Sequence, residues 1–289
     1  MDTQEFAALR RHVDTPSGRI AYVERGDGPV ALFVHGVLVN GFLWRHQLAG
    51  LAAHRRCIAV DLLAHGATTI APTQDVSSTA NADMLLQFMD ALGIDQVDLV
   101  GNDSGGGMAL ILAARHPHRI RSLALTDCDV HDNWPPEAFK PFLALSASGG
   151  LQGALEAMLA DKAFYRSAQA LGPAYEHPAD VADATIEAYL RPHLASAQRV
   201  RDLERFLAAF DCAHTLAIEP ALPALTAPTL VAWGTDDVYF GVEWSHWLAE
   251  AIPGTRRRVE LEGARLFFPE ERWQAFNREL LDHWQRGVD

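Results

Sequence analysis

An aspartate and a serine stand side by side in VGNDSGGGMAL (100–110), where a strand pattern runs straight into a helix. A nucleophile on such a turn sits on a tight, strained bend, so the residues two before and two after it must be tiny. Around Asp103 those positions are Gly101 and Gly105; around Ser104 they are Asn102 and Gly106. Asn102 would crowd the turn, so the spacing favours Asp103 as the attacking group. The backbone N–H of Ser104 then points at the reacting atom. A carboxylate nucleophile suits an alkyl electrophile: it displaces a leaving group or opens an epoxide to give an alkyl-enzyme ester. Water must then cleave that ester, with a base to activate it. The plainer alternative is that Asp103 only caps the helix.

The elements around this turn follow an α/β rhythm. RIAYVERG (19–26), PVALFVHG (29–36), RRCIAVDL (55–62), VDLVG (97–101) and RIRSLALTD (119–127) read as strands. Helical patterns separate them, including STANADMLLQFMDALG, for which Ser78 and Thr79 are candidate caps and Gly93 a stop. Strands and helices that alternate imply a mostly parallel central sheet covered on both faces. From about Asp132 to Leu222 only helical patterns occur; strand character returns at APTLVAWG (227–234) and RRRVELEG (256–263). The expected organisation is an α/β core, 1–131 and 223–289, interrupted by a helical cap at 132–222. In open parallel sheets ligands collect at the carboxyl ends of the strands, which is where the Asp103 turn falls.

Composition narrows the function further. The 289 residues carry a formal net charge of -13, which repels nucleic acid and anionic membranes. Three cysteines, Cys57, Cys128 and Cys212, form neither a disulfide framework nor a metal-binding spacing. The amino-terminal residues lack the apolar core of a signal peptide, and no apolar run is long enough for a membrane span, so a cytoplasmic location is expected. The glycines at 105–107 do not complete G-x-G-x-x-G. No cofactor is implied, and the expected partner is a small-molecule substrate.

FVHG (33–36), VDLLAHGATT (60–69), VGNDSGG (100–106) and VAWGTDDVYF (231–240) together resemble the α/β-hydrolase superfamily in order and spacing. An aspartate at the turn resembles its epoxide hydrolases and its haloalkane and fluoroacetate dehalogenases. The resemblance implies that Val37 and Ser104 supply backbone oxyanion donors and that Asp237 is the orienting acid, with Asp236 its weaker neighbour. His65 is implied to hold the loop after its strand. The same pattern places a histidine after the last strand, within G-x-x-H-F. Here EGARLFFPEE (262–271) puts Leu266 at that position, and leucine accepts no proton. The usual triad is therefore incomplete.

His131, at the cap's entrance among Asp127, Asp129 and Asp132, is the candidate substitute for proton transfer, as an acid or an oxyanion donor. Trp134 is a candidate substrate contact beside it, and the cap tyrosines Tyr165, Tyr175 and Tyr189 are candidate proton donors to an opening epoxide. Dehalogenases of this type carry tryptophan directly after the nucleophile, where this chain has Ser104. Epoxide opening by Asp103 is thus the leading expectation. The alternatives are haloalkane-type dehalogenation, a nonhydrolytic reaction with Asp103 as general base, and small-molecule binding without turnover.

Overall fold

The computed structural model describes residues 1–286. Eight strands form one sheet: β1 (Arg10–Thr15), β2 (Gly18–Arg25), β3 (Val30–Val34), β4 (Arg56–Val60), β5 (Val97–Asp103), β6 (Ile120–Cys128), β7 (Thr229–Gly234) and β8 (Thr255–Leu261). Their order is β1-β2-β4-β3-β5-β6-β7-β8. Strands β4, β3, β5, β6, β7 and β8 pair in parallel; β1 with β2 and β2 with β4 pair antiparallel at one edge. The sheet is thus mostly parallel, with flanking helices.

Burial explains why some strands are easy to read and others are not. VALFV in β3 and VDLVGND in β5 are buried at every residue, as central strands covered on both faces must be. RRHVDT in β1 is polar, with no buried residue, at the sheet edge, and it escapes a reading based on apolar runs. The short helix Thr3–Ala8 ahead of it, capped by Asp2, escapes for the same reason: only Phe6 is buried. The helix Ser78–Ala91 is capped by Ser77, whose Oγ accepts from the N–H of Ala80, and not by Ser78 or Thr79. Thr79 instead bonds His214 Nδ1 at 2.9 Å, while Gly93 ends the segment at φ +63°.

Between Cys128 and Thr229 the described chain contains helices and connections only, the longer ones being Lys140–Ala147, Leu151–Ala160, Asp183–Leu190 and Ala197–Ala208. Part of this segment lies over the carboxyl ends of β5 and β6 and closes a cavity there.

Candidate active site

Asp103 ends β5 and precedes the helix Ser104–Arg115, with φ +57° and ψ -138°. That backbone is strained for a residue with a side chain and persists only where the surroundings enforce it. Two close approaches do so. A Cβ on Gly105 would fall 2.1 Å from the carbonyl oxygen of His35. One on Gly36 would fall 2.0 Å from Asp103 Oδ2. Glycine at both positions lets the β3 loop close onto the aspartate.

The backbone N–H of Val37 consequently donates to Asp103 Oδ2 at 2.9 Å. The N–H of Ser104, the first of the helix, lies close enough to the Asp103 carboxylate to favour its charged form. His35 holds the Val37 loop in place: its Nε2 accepts from the N–H of Leu62 at 3.0 Å and its Nδ1 bonds the carbonyl of Gly36 at 2.7 Å. Burial pushes this imidazole down to about 4, so it is neutral. His65 secures the next loop through the carbonyl of Leu63 at 3.0 Å. The Ser104 hydroxyl is buried, has no partner among the described residues and is not among the residues that line the cavity.

Asp103 opens into a narrow cavity, about 390 Å³ with its open mouth included. Val37, Asp129, Tyr239, Phe240, Leu266 and Phe267 line it from the sheet domain. Pro136, Phe139, Leu171, Ala174 and Phe210 close it from the helical segment. The walls are apolar and aromatic, and the polar side chains are two carboxyls and one phenol. No lining side chain carries an N–H donor or a cation.

Asp237 lies behind this wall. Its Oδ1 accepts from the N–H groups of Tyr239 at 2.7 Å and Phe240 at 3.2 Å, while its Oδ2 is buried without a partner among the described residues. Asp236 is exposed. Leu266 lines the cavity there, and its carbonyl accepts from Asn102 Nδ2 at 3.0 Å.

The acids at this end of the sheet share an electrostatic problem. Burial pushes Asp103 up to about 7; the N–H bonds of Val37 and Ser104 oppose it, and the charge of Asp237 adds to it. Burial likewise pushes Asp237 up to about 7, against its two N–H bonds and the nearby Arg265 charge. Asp127, whose oxygens accept from the N–H of Gly234 at 2.9 and 3.2 Å, is raised well above its ordinary range by burial and by Asp237. Asp129 is raised by burial and by Asp103. At the other end of β5, by contrast, buried Asp98 is met by Arg55 and Arg121 at 2.8 and 2.7 Å and by Ser122 at 2.8 Å. None of the four acids near the cavity forms a salt bridge among the described residues.

Several candidates from the sequence fall outside the cavity. His131, at φ +50°, turns its Nδ1 to Glu219 and stacks on Trp247, with ring centroids 5.1 Å apart. It does not meet Asp103, so its assignment as the substitute proton carrier is withdrawn. Trp134 is buried against the helix Ser104–Arg115, where a Cβ on Gly107 would come 2.8 Å from its ring, and against Phe210 at 5.9 Å. It is a packing residue and does not line the cavity. Tyr165 and Tyr175 bond each other at 3.2 Å, and Tyr189 donates to Glu270 at 2.6 Å; none lines the cavity.

Two residues that do line it, Asp129 and Tyr239, were missed. The signal for Asp129 is in the register: Asp103 pairs with Cys128 on β6, so the next residue leaves the sheet beside the Asp103 turn. Tyr239 follows Asp237 by two positions and shares its loop.

A family model described as the alpha/beta hydrolase fold matches residues 29–271. The chain belongs to the α/β-hydrolase family. Haloalkane dehalogenase 2 of Mycobacterium tuberculosis is 29% identical over 273 residues, covering 93% of each chain. Bifunctional epoxide hydrolase 2 of Sus scrofa is 32% identical over 111 residues, covering 38% of this chain and 20% of that protein. A solved epoxide hydrolase structure without ligand superposes with a TM-score of 0.80 at 20% identity, over 96% of this chain and 98% of that one. This α/β-hydrolase is thus related to named dehalogenases and epoxide hydrolases, and the described residues include no helix long and apolar enough to cross a membrane.

Proposed function

We propose that this α/β-hydrolase uses Asp103 as a nucleophile against a small or medium apolar molecule with an electrophilic carbon, and that its reaction is epoxide opening. One observation carries the reading. The backbone N–H of Val37 donates to the carboxylate of Asp103 itself, and the N–H of Ser104 favours that carboxylate's charged form. A serine nucleophile would leave such donors free for a substrate carbonyl. Donors on the nucleophile's own carboxyl stabilise the oxyanion that forms when water attacks an alkyl ester at Asp103.

The cavity chemistry supports epoxides over halides. A departing halide needs N–H donors, and no lining side chain supplies one. An opening epoxide needs a proton on its oxygen, and Asp129 and Tyr239 both carry an acidic hydrogen towards the cavity. Carboxylate-bearing substrates are disfavoured by the acidic floor and the absence of a lining cation. We take residues 132–222 as the cap over this chamber and place the enzyme in the cytoplasm.

The second reading, Asp103 as a general base in a nonhydrolytic reaction, draws on Leu266: no imidazole lines the cavity to cleave an ester. Acid-quenched incubation with terminal epoxides, followed by intact-mass measurement and peptide mapping, separates the two. Covalent chemistry gives an adduct on the peptide containing Asp103, absent in Asp103→Asn. Turnover with no adduct at any quench time contradicts it.

A further inference from the structure

Asp129 lies one residue beyond Cys128, the β6 partner of Asp103, and the two aspartates line the same cavity. It is 1% exposed, and neither of its carboxyl oxygens has a hydrogen-bond partner among the described residues. Buried polar groups are nearly always satisfied, so a carboxyl left wholly free and aimed into a cavity calls for a ligand or a chemical role. Burial and the charge of Asp103 both favour its neutral form. Once Asp103 has ionised, Asp129 is therefore the neighbouring group that still holds a proton.

We propose that Asp129 is the catalytic proton carrier that replaces the missing histidine. The role rests on the reading of Asp103 as nucleophile. In the first step an Asp103 oxygen forms a bond to an epoxide carbon, the C–O bond breaks, and the departing oxygen takes the Asp129 proton. The products are a hydroxyalkyl ester on Asp103 and an Asp129 carboxylate. In the second step that carboxylate takes a proton from water as the water oxygen attacks the ester carbonyl, and the N–H groups of Val37 and Ser104 hold the oxyanion. When the tetrahedral centre collapses, the leaving alkoxide takes the proton back from Asp129. Asp103 is left as the acid and returns its proton to Asp129. One proton circulates, and the sum is epoxide plus water to diol.

Tyr239 is the competing donor on the cavity wall. Burial pushes its phenol up to about 12, so it parts with a proton less readily than a carboxyl, and its loss leaves the Asp129 base of the second step in place. The two residues therefore differ in what their loss does to the ester.

The test uses epoxyhexane with the wild-type chain and with Asp129→Asn, Tyr239→Phe and Asp103→Asn, following diol release and the mass of the Asp103 peptide after rapid quench. Asp129→Asn is expected to slow diol release by at least about 100-fold, and the ester it does form is expected to persist. Tyr239→Phe hydrolyses its ester normally. Asp129→Glu, which keeps the carboxyl, recovers part of the rate. The quenched Asp103 peptide itself shows whether the Asn variant still forms the ester; if Asp129→Asn does not fold, Asp129→Ser carries the same test. Normal diol release in a folded Asp129 variant, with an ester still formed on Asp103, removes the role of Asp129 alone. Turnover that survives Asp103→Asn, or a wild-type chain that yields neither ester nor diol, removes the parent reading and this role with it.

Discussion

Asp103 and Asp237 are buried carboxyls whose charges oppose each other, and each has one oxygen held by backbone N–H groups. The pair is pushed up to about 7. A nucleophilic Asp103 must be ionised, so kcat/KM should rise with pH along a limb centred near 7. Asp237→Asn removes a charge that resists ionisation of Asp103, and the limb should move to lower pH. A limb that stays in place, or moves up, contradicts the coupling.

The same shifts set the sign of the stability profile. Both folded-state values stand above the ordinary 3.8, so between about pH 4 and pH 7 the folded chain keeps protons that the unfolded chain has released. This contribution is fully present below about pH 4 and is lost as pH rises through about 7. Thermal melting of Asp237→Asn should therefore show its stability relative to wild type improving from pH 5 to pH 8, by at least about 1 kcal/mol. A constant difference would show that Asp237 carries no raised value.

Leu266→His places an imidazole beside the cavity, where Asp237 Oδ2 has no donor. The substitution is expected to speed ester hydrolysis by at least about tenfold, as an added general base does. Adding Asp237→Asn to it should remove most of the gain. Ester hydrolysis timed by quench and mass measurement reads both, and a gain indifferent to Asp237 would show that the histidine does not complete a triad.

His131→Ala should leave kcat/KM and its pH profile unchanged, because the ring is turned to Glu219 and Trp247 and away from the cavity. Loss of that half-exposed pair should cost no more than about 1 kcal/mol in melting experiments. A lost limb in the pH–rate profile would return His131 to the mechanism.

Much of the site was legible because it depends on local sterics. Gly101 and Gly105 around Asp103 mark a turn that only small flanking residues permit, and the fully apolar β3 marks the sheet centre. What was not legible depends on long-range placement. The partner of His131 lies 88 residues away at Glu219, and proximity in sequence to three aspartates was no guide to which way its ring turns. Asp129 reads as one more loop acid until the β5–β6 register sets it beside Asp103. The cap tyrosines are plausible donors by type, yet their hydroxyls are engaged by one another and by Glu270.

The central claim is that Asp103 attacks carbon. Single-turnover hydrolysis of epoxyhexane in heavy-oxygen water, with excess enzyme and mass mapping of residues 100–110, tests it most directly. The account predicts that the label enters the Asp103 carboxylate and that the first diol carries unlabelled oxygen, because water attacks the ester carbonyl. A labelled first diol, with Asp103 unlabelled, would contradict it.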